Sequence, residues 1–264
     1  MIIDHKGRIA IVTGSSEGIG FACARALAEA GAAVVINGRS DASVARALAQ
    51  LRDELPGCEA IGVAADLSSA EGPARIIAAA PSCDILISNC AVNNLANVLD
   101  EPDEMFFRLF EINFLAGVRL ARHYLPQMIA RNRGRVLFHN SEQALRPSPH
   151  MAAYGASKAA ELVLARSLAE YTRGTAVTVN TIVIGPTRSA VTGALHAQMA
   201  EQQGKTVAEV EADFITHVRP NSLIHRIADA SEVASMAVYL TSDHASATNG
   251  AVLSVEGGTR EVIF

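Results

Sequence analysis

Short apolar runs alternate with longer segments of helical spacing along most of this chain. Residues 8–13 (RIAIVT) end in Thr-Gly and lead into 18–30 (GIGFACARALAEA), which keeps helical spacing up to Gly31. The unit recurs: 33–37 (AVVIN) precedes a helix from Asp41 to Leu55, 60–66 (AIGVAAD) one over 69–80, and 84–89 (DILISN) one over roughly 102–131. Strand, turn and helix repeated in this way predict a parallel sheet with right-handed crossovers. Further strands are expected at 134–140 (GRVLFHN), 176–184 (AVTVNTIVI) and 251–255 (AVLSV), with a helix over 152–173. Seven strands then make one doubly wound α/β sheet with helices on both faces, and residues 1–264 read as a single domain. The rhythm breaks between Gly185 and Ile227, where HAQMAEQQGKTVAEVEADF is helical in composition but weakly amphipathic. An insertion just after a strand's C-terminal end is where a lid or substrate loop sits. A solvated helical excursion is the alternative.

Composition narrows the class. Half of the residues are apolar and 19% are charged, enough to bury a sizeable core. Trp is absent, and abundant Ala, Val and Ile suit buried parallel strands under Ala-rich helices. A net charge of −5 disfavours nucleic acid, and the short cluster Arg131, Arg133 and Arg135 reads as a solvated helix end. Cys23, Cys58, Cys83 and Cys90 show no C-x-x-C spacing, and the eight histidines no metal-ligand spacing, so reduced thiols and no metal site are expected. The N-terminus MIIDHKGR has no signal-like apolar region, and no uncharged apolar run approaches the ~20 residues of a membrane helix. The expectation is a cytoplasmic protein without a membrane partner.

The turn after the first strand reads Thr13-Gly14-Ser15-Ser16-Glu17-Gly18-Ile19-Gly20. Gly14 permits the sharp turn, Gly18 close approach of a pyrophosphate, and Gly20 close packing of helix on sheet. The helix N-terminus then offers free N–H groups and partial positive charge to an anion. The spacing G-x3-G-x-G differs from the G-x-G-x-x-G dinucleotide fingerprint. After the second strand, Asn37-Gly38-Arg39-Ser40 lacks the acid that would bind a ribose 2′-hydroxyl in an NAD site. Arg39 can stack on adenine and bind a 2′-phosphate with Ser40 as a further donor, which favours NADP(H) over NAD(H). Glu17 opposes that phosphate if it points the same way, and an ordinary surface arginine is the plain alternative. Asp66 can accept from the adenine amino group while Leu67 covers the ring, or it can cap the following helix. Asn89 reads as a structural residue near the cofactor, tying neighbouring strands together.

Ser141, Tyr154 and Lys158 form S-x12-Y-x3-K. Tyr154 and Lys158 share one helix face at i and i+4. A free phenol titrates near ~10, and a neighbouring ammonium favours its ionised form. Ser141, at the end of a strand, can donate to a carbonyl oxygen on which charge develops. A helix-surface pair without a role is the alternative for Y-x3-K alone; the serine at this distance on a strand the sheet needs argues against it.

On these motifs the chain resembles the short-chain dehydrogenase/reductase superfamily, from Lys6 to about Thr259. T-G-x3-G-x-G falls on Thr13 to Gly20, the serine on Ser141 and Y-x3-K on Tyr154 and Lys158. The resemblance implies a Rossmann-type fold, a nicotinamide coenzyme, Tyr154 as general acid/base, Lys158 on the nicotinamide ribose, and Asn113 in EINFLAGVRL holding a water of the proton relay. It further implies a homotetramer built on the helices at 102–131 and 152–173 and the last strand. The family's N-N-A-G appears as Ser88-Asn89-Cys90-Ala91, its P-G as Ile184-Gly185 and its D-G-G as Glu256-Gly257-Gly258. Gly185 still follows the sixth strand, with Thr187 or Ser189 in reach of the nicotinamide amide.

For the substrate end, Glu142, Gln143, His150 and Asn93 are expected at the mouth, with Met151, Asn94 and Leu95, giving a polar, cation-friendly pocket for a small carbonyl or alcohol. The reading is hydride exchange between a secondary alcohol and a ketone. A non-catalytic coenzyme-binding sensor or scaffold would predict a damaged tetrad, and Asn113, Ser141, Tyr154 and Lys158 are all present. Reduction of an activated C=C bond keeps the same fold and stays open.

Overall fold

Runs of Val, Ile and Leu without polar alternation belong in strands covered on both faces, and they lie there. The computed structural model describes residues 2–261. Its strands are β1 (Ile9–Val12), β2 (Ala33–Gly38), β3 (Ala60–Ala64), β4 (Ile85–Ser88), β5 (Arg135–Ser141), β6 (Thr178–Ile184), the two-residue β7 (Thr187–Arg188) and β8 (Ala228–Asp229), and β9 (Val252–Val255). Seven of them form one sheet in the order β3-β2-β1-β4-β5-β6-β9, and every pairing is parallel.

The pleat divides the core. Ala10, Val12, Leu137 and Ile182 pack under α1 (Gly18–Glu29), α2 (Asp41–Glu54) and α9 (Ala230–Thr241). Ile11, Leu86, Val136 and Phe138 pack under α3 (Glu71–Ala79), α5 (Ala116–Ala130) and α6 (Ala152–Tyr171). From β1 the chain steps outward to β2 and β3, then returns to β4 on the other side and continues to β5 and β6. This reversal opens a crevice at the C-terminal ends of β1 and β4, the usual ligand position in such sheets.

Three segments depart from the expected pattern. The helix expected over 102–131 is α4 (Asp103–Phe110), a π-helical turn over Glu111–Leu115, and α5. Apolar spacing does not register one extra residue per turn, yet this turn carries Asn113. The helix α9 was not expected; its Asp229–Glu232 capping box and inward Val233, Ala234, Ala237 and Leu240 are the sequence signals for it. The excursion after β6 contains α7 (Ala190–Gln203) and α8 (Val207–Val218). Gly204 ends α7 in the left-handed region (φ 62°), and Thr206 and Glu209 cap α8 reciprocally. Arg188 bonds both Glu211 of α8 and Asp229 of β8, clamping α8 to the short β7–β8 pair.

Candidate active site

The glycine turn is held from behind by Asn89. Its Nδ2 donates to the carbonyls of Thr13 (2.9 Å) and Gly14 (3.1 Å), while its own N–H donates to Thr13 Oγ1 at 2.9 Å. Asn89 therefore ties β4 to the turn after β1, as expected. Gly20 packs so closely that a Cβ there would lie 2.3 Å from the Gly14 carbonyl oxygen. No side chain caps α1, and its first turn carries no acid. Its leading N–H groups, beside Ser16, Gly18 and Ile19, are left to an external anion.

At the end of β2, Arg39 is exposed and Ser40 spends its Oγ capping α2, accepting from Ser43 N. Asp66 is exposed; its Oδ1 accepts from Ser68 N at 3.0 Å, and that bond holds the carboxyl below its ordinary range. It does not cap α3, whose N-cap is Ala70. Leu67 corrects one expectation. It is 2% exposed and packs with Ile11, Val35 and Val63, because the core claims its side chain before an adenine ring can.

Ser141, Tyr154 and Lys158 converge near the C-terminal ends of β5 and β6. Ser141 ends β5, and its Oγ accepts from Gln143 N at 3.2 Å, which leaves the hydroxyl proton free to donate. Tyr154 and Lys158 stand one turn apart on α6 and line the same cleft of about 360 Å³ as Ser141. Lys158 is buried and donates through Nζ to the His139 carbonyl (2.8 Å) and to Glu161 Oε2 (2.9 Å). Burial is the largest single influence and opposes its charge, but Glu161, Tyr154 and Cys90 together outweigh it and the ammonium titrates above its ordinary value. Asn113 uses its side chain fully: Oδ1 accepts from Val92 N, and Nδ2 donates to Val92 O and Ser157 Oγ. It thereby locks the segment after β4 against α6.

His139, two residues before Ser141, is 3% exposed and also lines the cleft. Asn89 has already committed its amide nitrogen, so its Oδ1 is the acceptor facing His139 Nδ1 at 2.9 Å. The imidazole proton therefore sits on Nδ1, and burial, then Lys158, lower the pKa to about 3, leaving the ring neutral. Nε2 is a buried acceptor with no protein partner among the described residues.

The substrate end differs from expectation. Glu142 is 3% exposed, and its carboxylate is taken by Arg219 Nε (2.5 Å) and Thr259 Oγ1, so it offers no free negative charge to a cationic substrate. Gln143 lines the cleft while its Oε1 accepts from Ser148 N at 2.9 Å. Asn93 and Met151 line it too, as do Gly185, Thr187 and Ser189. His150 is exposed on the short turn Pro149–Met151 and falls outside the cleft wall. Asn94 and Leu95 also fall outside it, Asn94 bonding Glu101. From the excursion come Leu195, His196, Phe214 and Arg219, none of them singled out by the sequence.

The short chain dehydrogenase family profile matches residues 8–200. The chain is 40% identical over its full length to all of the oxidoreductase YvaG of Bacillus subtilis. It belongs to the short-chain dehydrogenase/reductase family. L-sorbose reductase from Gluconobacter frateurii, solved with NADPH and L-sorbose, superposes with a TM-score of 0.93 at 26% identity, covering both chains completely. A 3-oxoacyl (acyl-carrier-protein) reductase from Agrobacterium tumefaciens, solved with NADP, gives 0.86 at 31% identity over 97% of this chain and 96% of that one.

As a short-chain dehydrogenase/reductase the chain implies a nicotinamide coenzyme, and its residues fit one. The uncapped start of α1 and the positive φ of Gly18 (59°) suit a pyrophosphate, and His139 Nε2 awaits a hydroxyl or amide donor. Nothing in the helical or strand period marks His139, Glu161 or Arg219. The usable signals were polar residues in otherwise apolar elements: His139 in β5 and Glu161 in the Ala-rich α6. No helix among the described residues is long and apolar enough to cross a membrane.

Proposed function

We propose that this chain is an NADP(H)-preferring oxidoreductase that interconverts a secondary alcohol and a ketone, with Tyr154 as general acid/base. The carrying observation is that Ser141, Tyr154 and Lys158 line one cleft at the strand ends, around the corner from an uncapped helix N-terminus. When bound, the nicotinamide supplies or accepts the hydride. Ser141 keeps a hydroxyl proton to donate to the substrate oxygen, and Tyr154, whose hydroxyl has no hydrogen-bond partner among the described residues, exchanges the proton. Lys158 keeps one N–H beyond those bonded to His139 and Glu161, and its positive charge favours the ionised phenol.

NADP(H) is favoured because β2 ends without an acid and Arg39 is exposed beside the adenine end, and because two solved relatives hold NADPH or NADP. For the substrate, Asn93, Gln143 and Arg219 give the cleft polar walls, and one full-length structural relative holds L-sorbose. A small, hydroxyl-rich ketone is the class to offer first. A homotetramer joined through α4 to α6 and β9 is part of the proposal; exposed Phe107, Val163 and Val252 on those elements support it.

The test offers NADPH and NADH, deuterated at the transferable nicotinamide position, with a panel of polyhydroxylated and simple ketones. The proposal expects deuterium on the carbinol carbon and faster turnover with NADPH. Unlabelled product, or faster turnover with NADH, contradicts the corresponding part.

A further inference from the structure

The reaction described above asks nothing of Glu161, yet this carboxylate is 1% exposed in the wall behind the catalytic residues. A carboxylate in such a place is costly unless donors converge on it. Two do: Lys158 Nζ at 2.9 Å and Asn140 Nδ2 at 3.0 Å, both on Oε2. Asn140 is itself fixed, since its Nδ2 also donates to the Lys158 carbonyl and its Oδ1 accepts the N–H of Ser141. One amide thus joins the carboxylate, the lysine and the serine. Of the three Lys158 N–H groups, the His139 carbonyl and Glu161 take two, which fixes where the third can go.

We propose that Glu161 is a positioning residue, holding the Lys158 ammonium at the floor of the cleft and weakening the positive field that Lys158 casts on the Tyr154 phenol. The other groups facing this pair do not supply such an offset. His139 of β5 is buried and neutral, and the Cys90 thiol, after β4, is pushed up to about 11 by burial and so is neutral below that pH. Asp66 and Arg39 act on Cys90 from the adenine end with opposite signs. On the far wall, Glu142 and Arg219 cancel each other as an ion pair. Burial pushes the Glu161 carboxyl above its ordinary range against the pull of Lys158 and Asn140; at the alkaline pH of a tyrosine titration it is the carboxylate in direct contact with Lys158, so its removal exposes more of the ammonium charge to the cleft.

The proposal rests on the reading of Tyr154 as the proton-exchanging group, but its test needs no turnover. The chain has four tyrosines and no tryptophan, so tyrosinate absorbance can be followed cleanly. Subtracting the titration of Tyr154→Phe isolates Tyr154, first in the wild type and then in Glu161→Gln, with circular dichroism recorded over the same pH range. Glu161→Gln is expected to lower the Tyr154 midpoint by about one pH unit, the scale of a single nearby charge. Glu161→Asp, which keeps the charge, is expected to return it towards the wild-type value. An unchanged or raised midpoint in Glu161→Gln overturns the proposal. If Tyr154 responds as expected but no ketone turns over, the functional reading has failed and this one has not.

Discussion

Arg219 Nε donates to Glu142 Oε1 at 2.5 Å, joining the residue after α8 to the residue after β5 across the mouth of the cleft. Thr259 adds its hydroxyl to the same carboxylate, so the end of β5, the excursion and the C-terminal segment meet at one buried side chain. Arg219 also lies over the Phe214 ring, 5.6 Å from guanidinium carbon to ring centroid.

Arg219→Ala leaves Glu142 buried with one partner fewer. Breaking such a pair is expected to cost roughly 3 kcal/mol of stability, read from denaturant unfolding. Because Arg219 and Phe214 form one wall of the cleft, KM for the best substrate should rise more than kcat falls. An unchanged KM would show that this wall does not touch substrate.

Gly20→Ala tests the coenzyme end. The new Cβ would meet the Gly14 carbonyl at 2.3 Å and Asn89 Nδ2 at 2.5 Å, so α1 must move away from the turn. Calorimetry should find NADP+ binding weakened about tenfold or more, since the helix N-terminus no longer faces the pyrophosphate correctly.

Arg39→Ala addresses selectivity. Arg39 makes no hydrogen bond to protein among the described residues, so its loss should leave thermal unfolding unchanged. The dissociation constant for NADPH is expected to rise roughly tenfold, with little change for NADH. Equal effects on both coenzymes would mean that Arg39 stacks on adenine without reading the 2′-phosphate.

His139 predicts a pH dependence of stability. Its folded pKa of about 3 lies below the ordinary 6.5, so the unfolded chain binds the proton first as pH falls. The contribution is fully present above about pH 6.5 and is lost progressively towards pH 3, at up to about 1.4 kcal/mol per pH unit. His139→Gln should flatten that part of the stability curve relative to wild type, as measured by urea unfolding between about pH 7 and 4. His5, also buried and lowered, remains in both proteins and cancels from the difference.

The sheet was legible in the sequence because each apolar run is bounded by glycine or a polar turn, and the seven expected strands match the observed ones to within two residues at either end. Ser141, Tyr154 and Lys158 were legible because their spacing on one strand and one helix survives folding unchanged. What tertiary contacts decide was not. Leu67 was read as a ring cover, but a leucine after a buried strand is drawn into the core by Val35 and Val63. Glu142 was read as facing substrate because its partners, Arg219 and Thr259, stand 77 and 117 residues away in sequence. The π turn at Asn113 escaped because helical periodicity counts faces, while the extra residue answers to Val92 on a different segment.

The measurement that bears most directly on the account compares turnover of a ketone by wild type and Tyr154→Phe with NADPH, alongside coenzyme binding by both. Loss of the phenolic proton should reduce kcat by about a thousandfold while leaving the NADPH dissociation constant unchanged. A Tyr154→Phe protein that turns over at the wild-type rate would remove Tyr154 from the reaction and contradict the account.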